Sequence, residues 1–265
     1  PDIYNLSPEK EYIRIYFFQM PNIVIIPTYK EKENIRELIK AICSLTVPFD
    51  ILIVDDNSPD GTALIVKEMQ QSLPNLHLIE RPGKLGLGTA YITGFQWALE
   101  KGYTYIIEMD ADFSHDPLDL VRLYKTCSEE GADIAIGSRY ISGVNVVNWP
   151  LSRILLSYFA SVYVRAVTRM NIRDATAGFV CYKKEVIENI RPSHIKSHGY
   201  GFQIEMKFIA WKLGYKIIEV PIIFTDRKMG ISKMSGGIFN EALWGVIRMK
   251  IRSLFIKYKK TGSPA

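Results

Sequence analysis

Short apolar segments alternate with amphipathic segments through the first half of the chain, and this alternation limits the fold more than any other feature. The run "NIVIIPTY" at residues 22–29 is continuous and β-branched, which is typical of a strand buried on both faces. The alternation predicts strands at residues 22–29, 50–62 (ending in turn residues), 75–81, 103–110 and 132–140, and helices at residues 32–45, 63–73, 88–102 and 117–129.

Strands separated by helices form βαβ units, whose right-handed crossovers build a mostly parallel sheet flanked by helices. We therefore predict an α/β, Rossmann-like fold. In such a sheet, ligands bind beyond the carboxyl ends of the strands. Three of these ends are Pro27–Tyr29, Asp55–Asp56 and Asp110–Asp112. The second half predicts helices at residues 151–170 and 203–213, a strand at 177–184, an extended segment at 215–227 and a basic amphipathic helix at 236–260.

Positive charge is concentrated near the C-terminus. The chain has a formal net charge of +5, and the segment from Lys228 to Lys260 holds eight Lys or Arg residues against one acid, Glu241. Such a segment suits an anionic surface, either nucleic acid or lipid head groups. Since no nucleic-acid recognition motif accompanies it, we expect no nucleic-acid partner. No uncharged apolar run reaches the roughly 18 residues of a membrane-spanning helix, so none is predicted.

The first residues do not resemble a signal peptide, because residues 1–19 lack the basic start, apolar middle and small-residue cleavage site. Met20 directly precedes the first predicted strand and is typical of a natural start. We therefore predict that residues 1–19 are an N-terminal extension.

A glycine-rich segment, "GKLGLGTAY" at residues 83–91, matches two common nucleotide-binding motifs only in part. A dinucleotide fingerprint needs G-x-G-x-x-G or A in the first βα turn, whereas Tyr91 stands at the third position here and the segment follows the third strand. The GK[ST] ending of a P-loop is absent. A dehydrogenase and a P-loop enzyme are therefore disfavoured, and the segment is either an ordinary loop or part of a substrate-binding loop.

Two carboxylates close the fourth predicted strand, in "YIIEMDADFSHDP". Asp110 and Asp112 project to the same side, because residues i and i+2 of a strand share a face. Two carboxylates this close repel each other unless a cation lies between them. Mg²⁺ or Mn²⁺ prefers oxygen ligands and keeps positions free for phosphate oxygens. The alternative interpretation is a strand end followed by an N-capped helix.

Asp55 and Asp56 end the second predicted strand in a similar way. Carboxylates at this edge can accept hydrogen bonds from a base or a ribose. Ordinary turn chemistry is the alternative, since "NSPDG" follows them.

Six segments together resemble one enzyme family. In chain order they are "IVIIPTYKEKENI", "ILIVDDNSPDGT", "KLGLGTAY", "MDADFSHDP", "IGSRY" and "FTDRKMGISKMSGG", and the resemblance extends from about Asn22 to about Arg252. The combination is similar to the polyprenyl-phosphate (dolichyl-phosphate) mannose synthases, which are family 2 glycosyltransferases of the GT-A fold. The resemblance implies a GT-A domain at residues 20–227, followed by a substrate loop and a basic amphipathic helix at residues 228–265.

The resemblance also implies roles for individual residues. Asp110 and Asp112 hold the metal ion, and Ser114 is a weaker third ligand at a position where the family can carry glutamine. Arg139 and Arg153 face the acceptor phosphate and, with Asp112, form the catalytic group. The implied nucleotide-sugar site comprises Pro27, Tyr29, Glu31, Val54, Asp55, Asp56, Asp110, Ala111, Asp112, Arg227 and Lys233.

The implied reaction is an inverting transfer of mannose from GDP-mannose to a polyprenyl phosphate, giving a β-linked product. A phosphate monoester is largely dianionic at pH 7 and needs no general base. Arginine pairs with phosphate through two N–H groups, while Mg²⁺ or Mn²⁺ neutralises the departing diphosphate. Two alternatives stay open: another donor such as UDP-glucose, and a nucleotide-sugar-binding protein without turnover.

A lipid acceptor leads us to expect peripheral attachment to the cytoplasmic face of a membrane. The apolar faces of residues 151–170 and 231–260 are expected to enter the interface, with Lys and Arg side chains meeting anionic lipids. The alternative is that both segments are core helices with a solvated basic end.

Overall fold

The computed structural model describes residues 22–195, 197, 200–226 and 237–260, without the side chains of residues 194, 200 and 237–242. The extension predicted at residues 1–19 lies outside the described residues. The strands are β1 (Asn22–Thr28), β2 (Asp50–Asp55), β3 (Leu76–Glu80), β4 (Tyr105–Glu108), β5 (Ile134–Ser138), β6 (Val146–Val147), β7 (Val180–Lys183), β8 (Ile217–Pro221) and β9 (Phe224–Thr225). The helices are α1 (Ile35–Cys43), α2 (Thr62–Gln70), α3 (Leu87–Lys101), α4 (Asp119–Ser128), α5 (Leu151–Thr168), α6 (Lys184–Ile190), a 3₁₀ turn (Pro192–His194), α7 (Tyr200–Lys212) and α8 (Gly237–Arg252).

A seven-stranded sheet forms the centre of the fold, in the order β3-β2-β1-β4-β7-β5-β8. Its pairings are parallel except the two made by β7, which runs antiparallel to β4 and β5. β6 and β9 form a separate, parallel two-stranded ladder. The predicted α/β fold with a mostly parallel sheet is confirmed.

Both faces of the sheet are buried, and the strands carry apolar side chains in both directions. In β1, Ile23 and Ile25 join one core cluster while Val24 and Ile26 join the other, as the two-residue period of a strand requires. Helices α3, α6 and α7 cover the first face, and α1, α2 and α4 cover the second. This double cover explains why the strands appear in the sequence as continuous apolar runs.

Close packing on the first face depends on a glycine. A Cβ atom at Gly94 of α3 would come within 2.6 Å of Ile25 Cγ2 in β1, which is closer than real Cβ contacts. Glycine therefore lets α3 lie directly on the sheet, and the glycine-rich residues 83–88 at its start are held near the ends of β1 and β2.

The carboxyl ends of β1, β2, β4 and β5 form what we call the functional edge of the sheet. Because β7 is reversed, its first residue, Val180, lies at this edge beside Glu108. Lys30, Asn57 and Phe113 follow β1, β2 and β4 with left-handed φ angles of 58°, 55° and 58°. Such conformations are uncommon for lysine and phenylalanine, less so for asparagine, and they concentrate at functional sites.

The extended segment predicted at residues 215–227 is two strands rather than one. The Ile222 N–H still donates to the Ser138 carbonyl oxygen on the central sheet at 3.1 Å. The Phe224 N–H instead donates at 2.9 Å to the carbonyl oxygen of Asn145, the residue before β6. The chain therefore changes sheets within two residues, and β9 reaches the functional edge.

Candidate active site

Asp110 and Asp112 lie in the loop that follows β4, at the functional edge. The Asp110 side chain is 37% exposed, Asp112 is half-buried and Ala111 between them is buried. The Asp112 Oδ1 atom accepts the backbone N–H of Ser114 at 3.1 Å, which closes a tight turn. Two accessible carboxylates therefore flank Ala111 at this edge, and their role as the metal and diphosphate site stays a prediction.

The two carboxylates offer hard oxygen ligands to a divalent ion. Across the described residues, no group of three or more His, Cys, Asp or Glu side chains is arranged to hold a metal. Two protein carboxylates nevertheless suit Mg²⁺ or Mn²⁺, because Mg²⁺ commonly takes its other ligands from phosphate oxygens and water. Ser114 is buried, and its Oγ has no hydrogen-bond partner in the described part of the chain. Because Ser114 is buried whereas Asp110 and Asp112 are accessible, the two carboxylates are better placed than Ser114 to bind a metal ion.

Two buried side chains flank Asp110. The Tyr91 hydroxyl lies 3.5 Å from Oδ1, and His115 Nε2 lies 3.9 Å from Oδ2. Burial lowers the pKa of His115 to about 4, against the Asp112 charge that raises it, so the imidazole is neutral at pH 7. Neither residue was predicted to belong to the site, although both lie inside the motifs "LGLGTAY" and "MDADFSHDP".

Asp55 organises the loop after β2. It is fully buried, Oδ1 accepts the Thr28 and Ser58 hydroxyls at 2.7 and 2.6 Å, and Oδ2 accepts the Ser58 N–H at 2.8 Å. A direct contact between Asp55 and a nucleotide, which the sequence predicted, does not agree with this burial. The carboxylate instead ties the ends of β1 and β2 together.

Asp56 fixes the glycine-rich segment. It forms a buried ion pair with Arg81, whose Nε donates to Oδ1 at 2.6 Å, and its Oδ2 accepts the Leu85 N–H at 3.1 Å. Arg81 also donates to the Thr89 hydroxyl at 2.8 Å and to the Gly86 carbonyl oxygen at 3.1 Å. Asp56 therefore lies in the predicted region, but its carboxylate holds the loop through these protein contacts.

The end of β1 presents partly exposed side chains from Pro27, Tyr29 and Glu31, and their contact with the nucleotide sugar stays a prediction. The Lys84 Nζ atom lies 4.9 Å from the centre of the Tyr29 ring, so the glycine-rich segment and the end of β1 face each other. Val54, by contrast, is fully buried in the core. Its side chain cannot reach a ligand, and the predicted contact is wrong for that side chain.

Arg139 follows β5 and is held by a buried carboxylate. Its Nε and Nη2 donate to the two Asp174 oxygens at 2.7 and 2.6 Å, and Nη2 also donates to Thr176 Oγ1 at 2.8 Å. Although burial raises the pKa of Asp174, the Arg139 charge and hydrogen bonds hold it below its ordinary value. Arg139 is 8% exposed, which excludes a solvated surface charge. A phosphate contact by Arg139, as the sequence predicted, must therefore share the guanidinium with Asp174.

Arg153 is more accessible. Its side chain is 32% exposed, its Nη1 donates to Asp226 Oδ1 at 2.9 Å, and its guanidinium carbon lies 3.9 Å from the centre of the Trp149 ring. A guanidinium stacked on an aromatic face can still donate in its own plane to a further anion. Arg227 and Lys233, predicted to close over the donor phosphates, lie outside the described residues.

The loop that carries Asp110 and Asp112, here called the acidic loop, contacts the group formed by Arg139 and Arg153, here called the arginine cluster. The contact runs through β9. The Phe224 ring lies 5.1 Å from His115 and 5.2 Å from Trp149. The Thr225 N–H donates to the Ser114 carbonyl oxygen at 3.1 Å. The carboxylates and the guanidinium groups are therefore parts of one continuous site.

Two ionisable side chains, Glu108 of β4 and Lys207 of α7, are fully buried in the core. Lys207 of α7 donates through Nζ to the Ala177 carbonyl oxygen at 2.6 Å and to two oxygens of Gln203 at 3.2 and 3.3 Å. Burial raises the pKa of Glu108 to about 8 and lowers the pKa of Lys207 to about 8, each against the attraction of the other. Neither residue was predicted to be buried, because lysine and glutamate side chains are normally expected on the solvated surface.

An exposed apolar surface begins on α5, next to Trp149 and Arg153. Its side chains are Leu151, Leu155, Leu156, Tyr158, Phe159 and Val162. A second exposed group lies on α8 and the segment after it, formed by Trp244, Ile251, Leu254, Phe255 and Ile256. Among the described helices, none combines the length and the apolar character that crossing a bilayer needs.

Sequence comparison identifies close relatives. Residues 23–191 match the family described as glycosyl transferase family 2. The chain is 45% identical over 231 residues to the polyprenol monophosphomannose synthase of Mycolicibacterium smegmatis, covering 87% of each protein. It is 44% identical over 226 residues to the undecaprenyl-phosphate mannosyltransferase of Micrococcus luteus, covering 85% of this chain and 92% of that relative.

Structural comparison identifies a similar fold in glucosyl-3-phosphoglycerate synthase from Mycobacterium tuberculosis. Its complex with phosphoglyceric acid has a TM-score of 0.66 at 14% identity, covering 94% of this chain and 85% of that chain. Its complex with Mn²⁺, UDP-glucose and phosphoglyceric acid has a TM-score of 0.64 at 15% identity, with 96% and 86% covered. At this identity the likeness concerns the fold alone, and it confirms the GT-A architecture.

The family match and both relatives span most of the motifs that carried the resemblance. The protein is a glycosyltransferase, and the acidic edge and the arginine cluster are its candidate active site. On these grounds the chain belongs to glycosyl transferase family 2.

Proposed function

We propose that the protein transfers mannose from GDP-mannose to a polyprenyl phosphate, with inversion at the sugar carbon and with the help of a divalent metal ion. The observation that carries the proposal is the 45% identity to a polyprenol monophosphomannose synthase over 231 residues. The geometry agrees with it, because a carboxylate pair suited to a metal and a diphosphate lies beside an arginine cluster suited to a second phosphate.

On the donor side, the residues of the functional edge bind and orient the nucleotide sugar. Asp110 and Asp112 would hold the divalent ion, which when bound would supply positive charge to the departing diphosphate. Pro27, Tyr29 and Glu31 provide partly exposed surface for the nucleotide at the end of β1. The glycine-rich segment lies opposite them.

On the acceptor side, the attacking group is an anion and needs no general base. A lipid monophosphate is largely dianionic at pH 7, so its oxygen is already a nucleophile. The difficulty is to bring this anion beside the donor diphosphate, and Arg153 supplies the accessible positive charge. Arg139 adds a second guanidinium, which Asp174 holds in a fixed orientation. A single displacement from the side opposite the leaving group inverts the sugar carbon.

Transfer and its dependence on metal can be measured directly. Purified protein with Mg²⁺, radiolabelled GDP-mannose and undecaprenyl phosphate is expected to produce an acid-labile, organic-extractable mannolipid. EDTA is expected to abolish the product, since the diphosphate charge then has no counter-ion, and added Mg²⁺ or Mn²⁺ is expected to restore it. Activity with UDP-glucose instead of GDP-mannose would overturn the donor, and binding without turnover for every donor would overturn catalysis.

We further propose that the exposed face of α5 lies in the membrane interface and keeps the lipid phosphate near Arg153. Leu155 and Phe159 are one helical turn apart on this face, and Phe159 is 60% exposed. Replacing both with glutamate is expected to weaken binding to vesicles of anionic phospholipid at least tenfold, because burial of each side chain contributes roughly 1.5–3 kcal/mol. Cosedimentation with vesicles measures the bound fraction.

Leu64 of α2 provides the matched control. It is 69% exposed, but α2 covers the opposite face of the sheet. Leu64→Glu is expected to leave vesicle binding unchanged. Undiminished binding by the α5 variant would contradict the interfacial role of α5. Attachment to the cytoplasmic face stays a prediction from the sequence.

A further inference from the structure

Asp110 is approached by a buried donor group at each of its carboxylate oxygens. The Tyr91 hydroxyl lies 3.5 Å from Oδ1, and His115 Nε2 lies 3.9 Å from Oδ2. We propose that Tyr91 and His115 are positioning residues that orient the Asp110 carboxylate toward the divalent ion. The inference rests on the proposed metal-dependent function and extends it to two residues that do not touch the substrate.

Tyr91 is held rigidly and can only donate. It is fully buried in α3, with its ring centre 6.2 Å from Phe95 and 6.3 Å from Phe202, in stacked arrangements. A tyrosine hydroxyl keeps its proton at neutral pH. Its interaction with Asp110 is therefore that of an O–H donor with a carboxylate.

His115 is held with equal firmness on the other side. Its ring stacks on Phe179 at 4.6 Å, packs edge-on against Phe224 at 5.1 Å and is 3% exposed. A neutral imidazole carries one N–H, and a proton on Nε2 points that N–H toward Asp110. The present distance of 3.9 Å is longer than a hydrogen bond. Such contacts often shorten when an active site is loaded.

The chemistry of metal sites explains why two such donors are useful. Carboxylates that bind a metal are generally hydrogen-bonded by outer groups, and loss of an outer partner typically weakens metal affinity about 10- to 100-fold. Asp110 and Asp112 also repel each other while no ion lies between them. Donors fixed in the core keep Asp110 from turning away, so the site is oriented before the ion arrives.

The chain contains a matched trio at the opposite edge of the sheet. Asp50, the first residue of β2, accepts the Tyr103 hydroxyl at Oδ2, and His77 Nε2 lies 3.6 Å from the same oxygen. His77 also packs against an aromatic ring, that of Trp97, in a tilted arrangement at 4.9 Å. This trio has the same three residue types as Tyr91, Asp110 and His115 but lies far from the functional edge. It therefore controls for the general cost of removing such contacts.

The test measures Mn²⁺ affinity rather than turnover. Mn²⁺ is titrated into the full chain, with and without GDP, and the free ion is followed by electron paramagnetic resonance. Tyr91→Phe and His115→Asn are each expected to weaken Mn²⁺ binding about tenfold. His115→Gln is expected to recover part of the loss, because its amide can reach the Nε2 position. The double variant is expected to lose less than the product of the single losses, since both donors act through one carboxylate.

Tyr103→Phe and His77→Asn are expected to leave Mn²⁺ affinity within about twofold of the parent, although both can lower thermal stability. Unchanged Mn²⁺ affinity in both Tyr91→Phe and His115→Asn would overturn the positioning role, and so would an equal loss in the control trio. A parent protein that binds Mn²⁺ and GDP but transfers no mannose would overturn the proposed function alone. The effect of the variants on Mn²⁺ binding would still decide the positioning role.

Discussion

Asp112→Asn is expected to slow mannosyl transfer roughly 100- to 1000-fold, the scale seen when one electrostatic contact to a transition state is lost. The side chain keeps its shape and can still accept the Ser114 N–H, but it loses the charge that the metal ion needs. Thermal stability is expected to stay equal or rise, because the repulsion between Asp110 and Asp112 disappears. On one preparation, initial rates measure the transfer activity, Mn²⁺ titration measures the metal affinity and thermal unfolding measures the stability.

Asp116 offers the matched control in the same loop. It is exposed, and its Oδ1 accepts the Leu118 N–H at 2.9 Å, a bond that asparagine can keep. Asp116→Asn is expected to retain activity within about twofold, as an exposed substitution outside the metal site should. If Asp112→Asn kept more than about a tenth of the parent rate, Asp112 could not be a metal ligand in the transition state.

Lys207→Met is expected to destabilise the fold by about 1–3 kcal/mol, which is the typical cost of leaving a buried hydrogen-bond acceptor without its partner. Methionine fills a similar space but removes the positive charge that opposes the rise in the pKa of Glu108 caused by burial. It also leaves the Ala177 carbonyl oxygen without the donor that now lies at 2.6 Å. For a chain of this length, the loss corresponds to a Tm lower by roughly 2–12 °C.

Two further variants separate the charge from the packing. Glu108→Gln combined with Lys207→Met removes both ionisable groups, and it is expected to be no more destabilised than Lys207→Met alone. Lys67 forms an exposed pair with Glu80 at 2.6 Å, and Lys67→Met is expected to cost less than about 1 kcal/mol. Equal losses for Lys207→Met and Lys67→Met in urea unfolding would show that the buried lysine contributes no more to stability than an exposed one.

The sequence was sufficient to predict strands β1 to β5 and β7 and their alternation with helices, but not the short strands β6 and β9. Apolar periodicity reports burial, and in a parallel sheet the strand ends are where ligands bind, so the place of Asp110 and Asp112 after β4 could be predicted, while their metal-binding role stays a prediction. The boundaries were less accurate. The strand predicted at residues 103–110 is confined to Tyr105–Glu108, because the chain turns into the acidic loop there.

The partners of the site residues could not be predicted in the same way. Arg139 and Asp174 are 35 positions apart, and periodicity reports which side chains are buried but not which ones meet. For the same reason Asp55 was assigned to the nucleotide, whereas its oxygens are occupied by Thr28 and Ser58. Tyr91 was noticed only as a departure from a glycine motif.

The reversal of β7 divides the site between two blocks of the chain. Residues 22–116 supply the functional edge as far as β4, and the following block supplies Arg139, after β5, and Arg153, in the first turn of α5. In the proposed reaction, the carboxylates that would bind the metal ion and the guanidinium groups that would face the acceptor phosphate therefore come from separate, consecutive stretches of the chain. Substitutions in the second stretch can alter the arginine cluster while Asp110 and Asp112 keep their positions.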